Sequence, residues 1–232
     1  MINLNKHKYY MMHILKDIYS DSELFDCLGF KGGTALMFFH DLPRYSVDLD
    51  FNLLDVNKEK VVYEKMKVLL TKYGVLEDEA LKFFGPVFVL NYGQYERKLK
   101  VEISNRQYEG NYERRNLLGI DMKVLVKPDM FAHKLCALLE RNEMTGRDVF
   151  DCWFFLDKQT PINIDIVEKR MGLPLLDYLQ CCIDAVGKIS DKTIMNGLGE
   201  LTEGDIKKFC KTKLRLDTIA LLRIFRAFPL IN

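Results

Sequence analysis

Asp48 and Asp50 fall in the segment Arg44-Tyr45-Ser46-Val47-Asp48-Leu49-Asp50-Phe51, where polar and apolar residues alternate strictly. That period predicts a strand with Arg44, Ser46, Asp48 and Asp50 on one face and Tyr45, Val47, Leu49 and Phe51 on the other. Same-face neighbours on a strand lie about 6.6 Å apart, so both carboxylates can turn toward one divalent ion or a close pair of ions. Carboxylate oxygens completed by substrate phosphates are the usual way a protein holds Mg2+. Just upstream, Gly32-Gly33 separates the apolar run from Leu24 to Phe30 from a helix expected to begin near Thr34. Two residues without side chains let a phosphate approach the backbone, where free N–H groups and the positive helix end favour an anion. Alone, each feature has a plainer reading as a turn or an exposed strand face. Together they describe a place where a phosphate ester and a metal ion could meet.

The same alternation recurs from Lys98 to Ser104, with Leu99, Val101 and Ile103 facing one way and Lys98, Lys100, Glu102 and Ser104 the other. If this strand adjoins the Asp48/Asp50 strand, three carboxylates converge, an arrangement costly without a cation. The plainer alternative pairs Glu102 with Lys100. Further on, Asp129 can cap a helix carrying Lys134 and Arg141, which lie two turns apart and share a face. Lys134 on such a face could serve the β- or γ-phosphate of a nucleotide, while a long-stemmed surface lysine should contribute little to the core. After Gly146, residues 147–156 begin with Arg147, Asp148 and Asp151 and then turn apolar almost all round, the mark of a buried helix with a charged start. Arg147 and Asp151 at i and i+4 could pair with each other, and Asp148 could simply favour the helix N-terminus.

The elements that must position these groups follow from changes in period. Residues 5–19 and 58–72 show the apolar spacing of amphipathic helices, and strands are expected over 87–92, 97–104 and 121–126. Beyond Pro128 the pattern is helical almost to the end. These readings predict an α+β protein, with a mixed β-sheet flanked by helices in residues 1–127 and an all-α half in 128–232.

With 232 residues, 48% of them hydrophobic, the chain can bury a sizeable core. No stretch approaches the roughly 20 apolar residues of a membrane span, and residues 1–8 are polar where a secretory signal would turn apolar, so the expected compartment is the cytoplasm. The six cysteines show no metal-ligand spacing and are read as reduced, buried thiols, and His7, His13, His40 and His133 as structural. The net charge of +1 conceals an asymmetry. Residues 205–232 carry Lys207, Lys208, Lys211, Lys213, Arg215, Arg223 and Arg226 against Asp205 and Asp217, a net +5 that could attract RNA phosphates or form a solvated helix face.

The Gly-Gly turn, the helix and the following Asp-x-Asp strand resemble the nucleotidyltransferase fold. More narrowly, Lys31-Gly32-Gly33-Thr34-Ala35-Leu36 with Arg44-x-Ser46-x-Asp48-x-Asp50-Phe51, the Lys134 helix and Arg147-Asp148-Val149-Phe150-Asp151 are similar to the AbiEii/AbiGii abortive-infection toxins of type IV toxin–antitoxin systems. The resemblance implies transfer of a nucleoside monophosphate from an NTP to a hydroxyl of a macromolecule, with tRNA as the expected acceptor and Mg2+ or Mn2+ as cofactor. It implies Asp48, Asp50 and Glu102 as metal ligands, and Gly32, Gly33, Thr34, Arg44, Ser46, Lys134 and Arg147 as nucleotide contacts. Lys134 with Asp148 or Asp151 would complete the active-site groups, and a cognate antitoxin would act without a stable toxin complex. A small-molecule, antibiotic-modifying transferase and a non-catalytic nucleotide-binding protein that sequesters a partner remain alternatives. The latter would tolerate loss of Asp50.

Overall fold

The computed structural model describes residues 3–141, 143–190 and 192–231. Two compact units result, one formed by Met1–Gln107 with Tyr112–Leu125, the other by Tyr108–Asn111 with Val126–Asn232.

The first unit is a mixed sheet with helices. It runs α1 (Leu4–Ser20), α2 (Ser22–Cys27), β1 (Leu28–Lys31), α3 (Gly32–Phe39), β2 (Asp48–Leu53), α4 (Glu59–Thr71), β3 (Val75–Lys82), β4 (Gly85–Asn91), β5 (Leu99–Ser104), β6 (Tyr112–Leu117) and β7 (Ile120–Leu125). The sheet order is β3-β4-β5-β2-β1-β7-β6. The pairs β2/β5 and β1/β7 are parallel and the others antiparallel. Its core is the apolar side of the alternation: Leu49, Phe51, Leu99, Val101 and Ile103 are fully buried, together with Met11, Ile14, Leu15 and Ile18 of α1. Burying each of these larger side chains contributes about 1.5–3 kcal/mol. The α+β class expected from the sequence is the observed one.

Several local expectations change. Strand β2 starts at Asp48, and the alternation fails before it: Arg44 is buried at 6% exposure while Tyr45 is 38% exposed. Helix α3 starts at Gly32, so the glycine pair forms its first turn. Strands β3 and β6 were not expected. The sequence of β3, Val-Leu-Glu-Asp-Glu-Ala-Leu-Lys, is rich in helix formers, and only its pairing with β4 makes it a strand.

The second unit is helical: α5 (Lys127–Glu140), α6 (Gly146–Asp157), α7 (Ile164–Met171), α8 (Leu175–Lys188), α9 (Gly204–Thr212) and α10 (Leu214–Ala227). Its core gathers Phe131, stacked on Phe155, with Phe150 and Phe154 of α6. The buried Tyr178 hydroxyl donates to the carbonyls of Leu135 and Cys136. Asp129 lies inside the first turn of α5, whose cap position is Val126. Its buried carboxylate accepts from the Asn111 backbone N–H at 2.6 Å and from the Asn163 amide at 2.8 Å, tying residues 108–111 to this unit. Five cysteines are buried as expected, but Cys181 is exposed on α8. Among the described residues, no helix is long and apolar enough to cross a membrane.

Candidate active site

The first unit brings the glycine turn and the carboxylate row into direct contact. Gly32 has φ +81°, a conformation that L side chains rarely adopt, and a Cβ there would lie 2.3 Å from Asp50 Oδ2. A Cβ on Gly33 would meet Ser46 Oγ at 2.7 Å and Arg44 Nη2 at 2.9 Å. Gly32, Gly33, Arg44, Ser46 and Asp50 therefore share one small region at the N-terminus of α3. Thr34, expected to hold phosphate, has a different position: it is fully buried and its hydroxyl donates to the Asp48 carbonyl at 2.5 Å. It pins α3 to the start of β2.

The parallel register of β2 and β5 sets Asp48 beside Lys100, Asp50 beside Glu102 and Asn52 beside Ser104. On the other side, β1 sets Lys31 opposite Asp50 and Gly29 opposite Asn52. Asp50 and Glu102 are thus direct neighbours, whereas Asp48 lies one step along the row next to a lysine. Lys100 also pairs with Glu102, its Nζ 2.5 Å from Oε2. Burial works to raise the Glu102 carboxyl, yet Lys100, Lys31 and Arg106 outweigh it and hold the group below the ordinary range. Burial likewise opposes the charge on Lys100, and Glu102, Asp50 and Asp48 together raise its pKa. Among the described residues, no three His, Cys, Asp or Glu side chains stand close enough to hold an ion unaided. The three-carboxylate convergence is therefore partial, because Lys100 draws Glu102 to itself. An adjacent pair of carboxylates with a third nearby still fits Mg2+, which takes one or two protein carboxylates and completes its shell with water and phosphate.

The entry to β2 is fixed from α1. His7 is buried, with Nε2 2.7 Å from the Val47 carbonyl and Nδ1 2.6 Å from the Tyr92 hydroxyl. A carbonyl only accepts, so Nε2 carries the proton and Nδ1 accepts from Tyr92. Burial lowers the pKa of this ring, and Arg97 adds to the effect.

In the helical unit, Lys134 lies on α5, whereas Arg141, expected on the same helix face, is its extended C-cap residue; both still reach α6. Lys134 Nζ is 2.7 Å from Asp151 Oδ2, and Arg141 Nη1 is 3.4 Å from Asp148 Oδ1. Asp148 also accepts from the Thr145 backbone N–H at 3.1 Å and its hydroxyl at 2.7 Å, the capping-box arrangement that fixes the start of α6. Arg147 packs against the turn at Gly197, where a Cβ would lie 3.2 Å from its Nε. The expectation that Lys134 contributes little to folding is corrected: Asp151 is 1% exposed, and Lys134 is a partner of that buried charge.

Lys31, quoted above only as part of the glycine motif, and Asn52 and Tyr112, not singled out, border the same row: Lys31 Nζ donates to Asn52 Oδ1, and Asn52 Nδ2 to the Tyr112 hydroxyl oxygen at 2.6 Å. Asn52 continues the polar row of Asp48 and Asp50, and Lys31 directly precedes the glycine pair, so two of the three carried a positional signal. Tyr112 carried none.

The family model of the AbiEii nucleotidyl transferase toxins of type IV toxin–antitoxin systems matches residues 13–180. No curated protein matches the sequence. Among solved structures, a candidate nucleotidyltransferase from H. pylori gives a TM-score of 0.61 at 20% identity, covering 96% of this chain and 94% of that one. JHP933 from Helicobacter pylori gives a TM-score of 0.58 at 19% identity, covering 97% and 92%. At such identities these likenesses attest to the fold. The family match spans most of the chain, which therefore belongs to the AbiEii nucleotidyltransferase toxins of type IV toxin–antitoxin systems.

Proposed function

We propose that the chain transfers a nucleoside monophosphate from an NTP to a hydroxyl of a macromolecular acceptor, with tRNA as the acceptor, and that this transfer is the toxic activity. The observation that carries the reading is the contact between turn and acid: the backbone of Gly32 lies against Asp50, and Asp50 lies beside Glu102 in register. Such a place can hold a triphosphate and its counter-ion together.

In this reading the first-turn N–H groups of α3 bind phosphate oxygens, and Arg44 and Ser46 contact the triphosphate from beside Gly33. Asp48, Asp50 and Glu102 would hold Mg2+ or Mn2+. A bound ion supplies charge neutralisation on the transferring phosphoryl group and its leaving oxygen. The acceptor hydroxyl oxygen attacks the α-phosphorus, the bond from that phosphorus to the α–β bridging oxygen breaks, and pyrophosphate departs. The hydroxyl proton passes to a Glu102 carboxylate oxygen. Thr34 and His7 orient the Asp48 backbone. On the family resemblance, Lys134 is assigned to nucleotide use, with Asp151 fixing its ammonium and Asp148 and Arg147 shaping the start of α6.

The test is incubation of the purified chain with each of the four labelled NTPs and total cellular RNA and protein. Label entering the tRNA fraction, and lost in Asp50→Asn, supports the reading. Undiminished toxicity of Asp50→Asn would favour partner sequestration over catalysis.

A further inference from the structure

We propose that Lys31 is a phosphate-contacting residue of this site, held in position by a relay through Asn52 and Tyr112; the proposal rests on the nucleotide reading above.

Lys31 ends β1 immediately before Gly32, and the antiparallel register sets it opposite Asp50. Its side chain runs back along β1, and Nζ donates to Asn52 Oδ1. Asn52 follows Asp48 and Asp50 on the same face of β2 but is buried, at 5% exposure. Its amide Nδ2 donates to the Tyr112 hydroxyl oxygen at 2.6 Å. Lysine has only donors, so the amide must turn Oδ1 to the ammonium and Nδ2 to the phenol. Tyr112 is located in turn by Gly29, since a Cβ there would fall 2.2 Å from its ring. Each link in the chain Tyr112, Asn52, Lys31 is therefore fixed by the one before it.

This arrangement is more than charge balance for the acids. A neutral, buried amide sets the position of the ammonium without adding negative charge to it. The ammonium borders the acidic pair closely enough to help depress the Glu102 carboxyl. It also belongs to the residue whose neighbour opens the first turn of α3. A point charge fixed beside the acid pair, on the residue that precedes the α3 N-terminus, suits an oligophosphate bound to both. Lys100 differs: its ammonium is held by the Glu102 carboxylate, and its side chain is 44% exposed.

Inorganic tripolyphosphate with Mg2+ separates phosphate recognition from base recognition. By titration calorimetry, Lys31→Met should weaken Mg-tripolyphosphate and Mg-ATP by the same factor, about tenfold or more, in protein that melts cooperatively at a modestly lower temperature, since Asn52 loses a donor. Lys31→Arg should restore part of the affinity. Tyr112→Phe keeps the ring over Gly29 and removes only the hydroxyl, and should weaken both ligands by a smaller factor, about two- to fivefold. If wild type binds both ligands and Lys31→Met binds them equally well, or loses only ATP, the assignment of Lys31 is wrong while the nucleotide reading stands. If wild type binds neither, the nucleotide reading fails and Lys31 falls with it.

Discussion

Asp50 of β2 and Glu102 of β5 are direct neighbours across a parallel strand pair, and Asp50 Oδ2 lies so close to the backbone of Gly32 that no Cβ would fit between them. The acid pair and the glycine turn therefore share one wall. Asp50→Asn should lower transfer by about a hundredfold or more, because several kcal/mol of charge stabilisation would depend on the ion assigned to it. Melting temperature without added Mg2+ should not fall, since a charge beside another carboxylate is removed. A loss of activity matched by a loss of fold would mean that Asp50 is structural.

Gly32→Ala and Gly119→Ala separate strain from site geometry. Both glycines have positive φ, +81° and +83°, but nothing lies within 4 Å of a Cβ at Gly119. Gly119→Ala should cost about 1–2 kcal/mol in chemical denaturation, and Gly32→Ala more, since its methyl group also overlaps Asp50. Only Gly32→Ala should abolish transfer, because its methyl group displaces the Asp50 carboxylate. Equal activity in the two variants would detach the turn from the chemistry.

Lys134→Ala should destabilise the protein by about 3 kcal/mol, because it leaves Asp151 charged and buried without its ammonium partner. The double variant Lys134→Met/Asp151→Asn should recover much of that stability in thermal melts yet remain inactive in transfer. Activity in the double variant would return the pair to a structural role.

The readable parts of the sequence were those where one face alone meets water. In β5, Leu99, Val101 and Ile103 are buried while Lys100 and Glu102 are partly exposed, so the alternation reports the structure directly. Strand β1 has four residues, two of them Gly29 and Lys31, too few for a period to emerge. Strand β6 pairs only with β7 at the sheet's edge and carries Glu113, Arg114 and Arg115, charges that suit an edge but conceal a strand. Of the site, the Asp row and the glycine turn were legible because their chemistry lies in one short segment. The Tyr112 link was not, because Asn52 and Tyr112 meet only through the sheet.

The buried His7 makes stability depend on pH in a defined window. Its folded pKa is lowered by burial, so the unfolded chain takes up a proton near pH 6.5 while the folded chain does not. The contribution is complete above that pH and is lost as pH falls toward the folded value. Denaturation at a series of pH values from 7.5 to about 5 should show this decline in wild type and a shallower one in His7→Gln. Identical slopes would remove His7 from the account.

The basic C-terminal helices should contribute to acceptor binding. Lys208, Lys211 and Lys213 are exposed, whereas Lys207 donates to the Gly199 carbonyl at 2.7 Å and belongs to the fold. Reversing Lys208, Lys211 and Lys213 to Glu should weaken RNA binding and flatten its salt dependence without altering NTP affinity. RNA affinity that does not change between low and moderate salt would make this a solvated face.

The most direct test of the central claim compares NTP labelled at the α-phosphate with NTP labelled at the γ-phosphate, using purified tRNA and Mg2+. With wild type, α-label should enter tRNA and γ-label should leave as pyrophosphate, and neither should occur with Asp50→Asn or Glu102→Gln. Transfer of γ-label to the acceptor, or α-labelling that survives loss of Asp50, would contradict that claim.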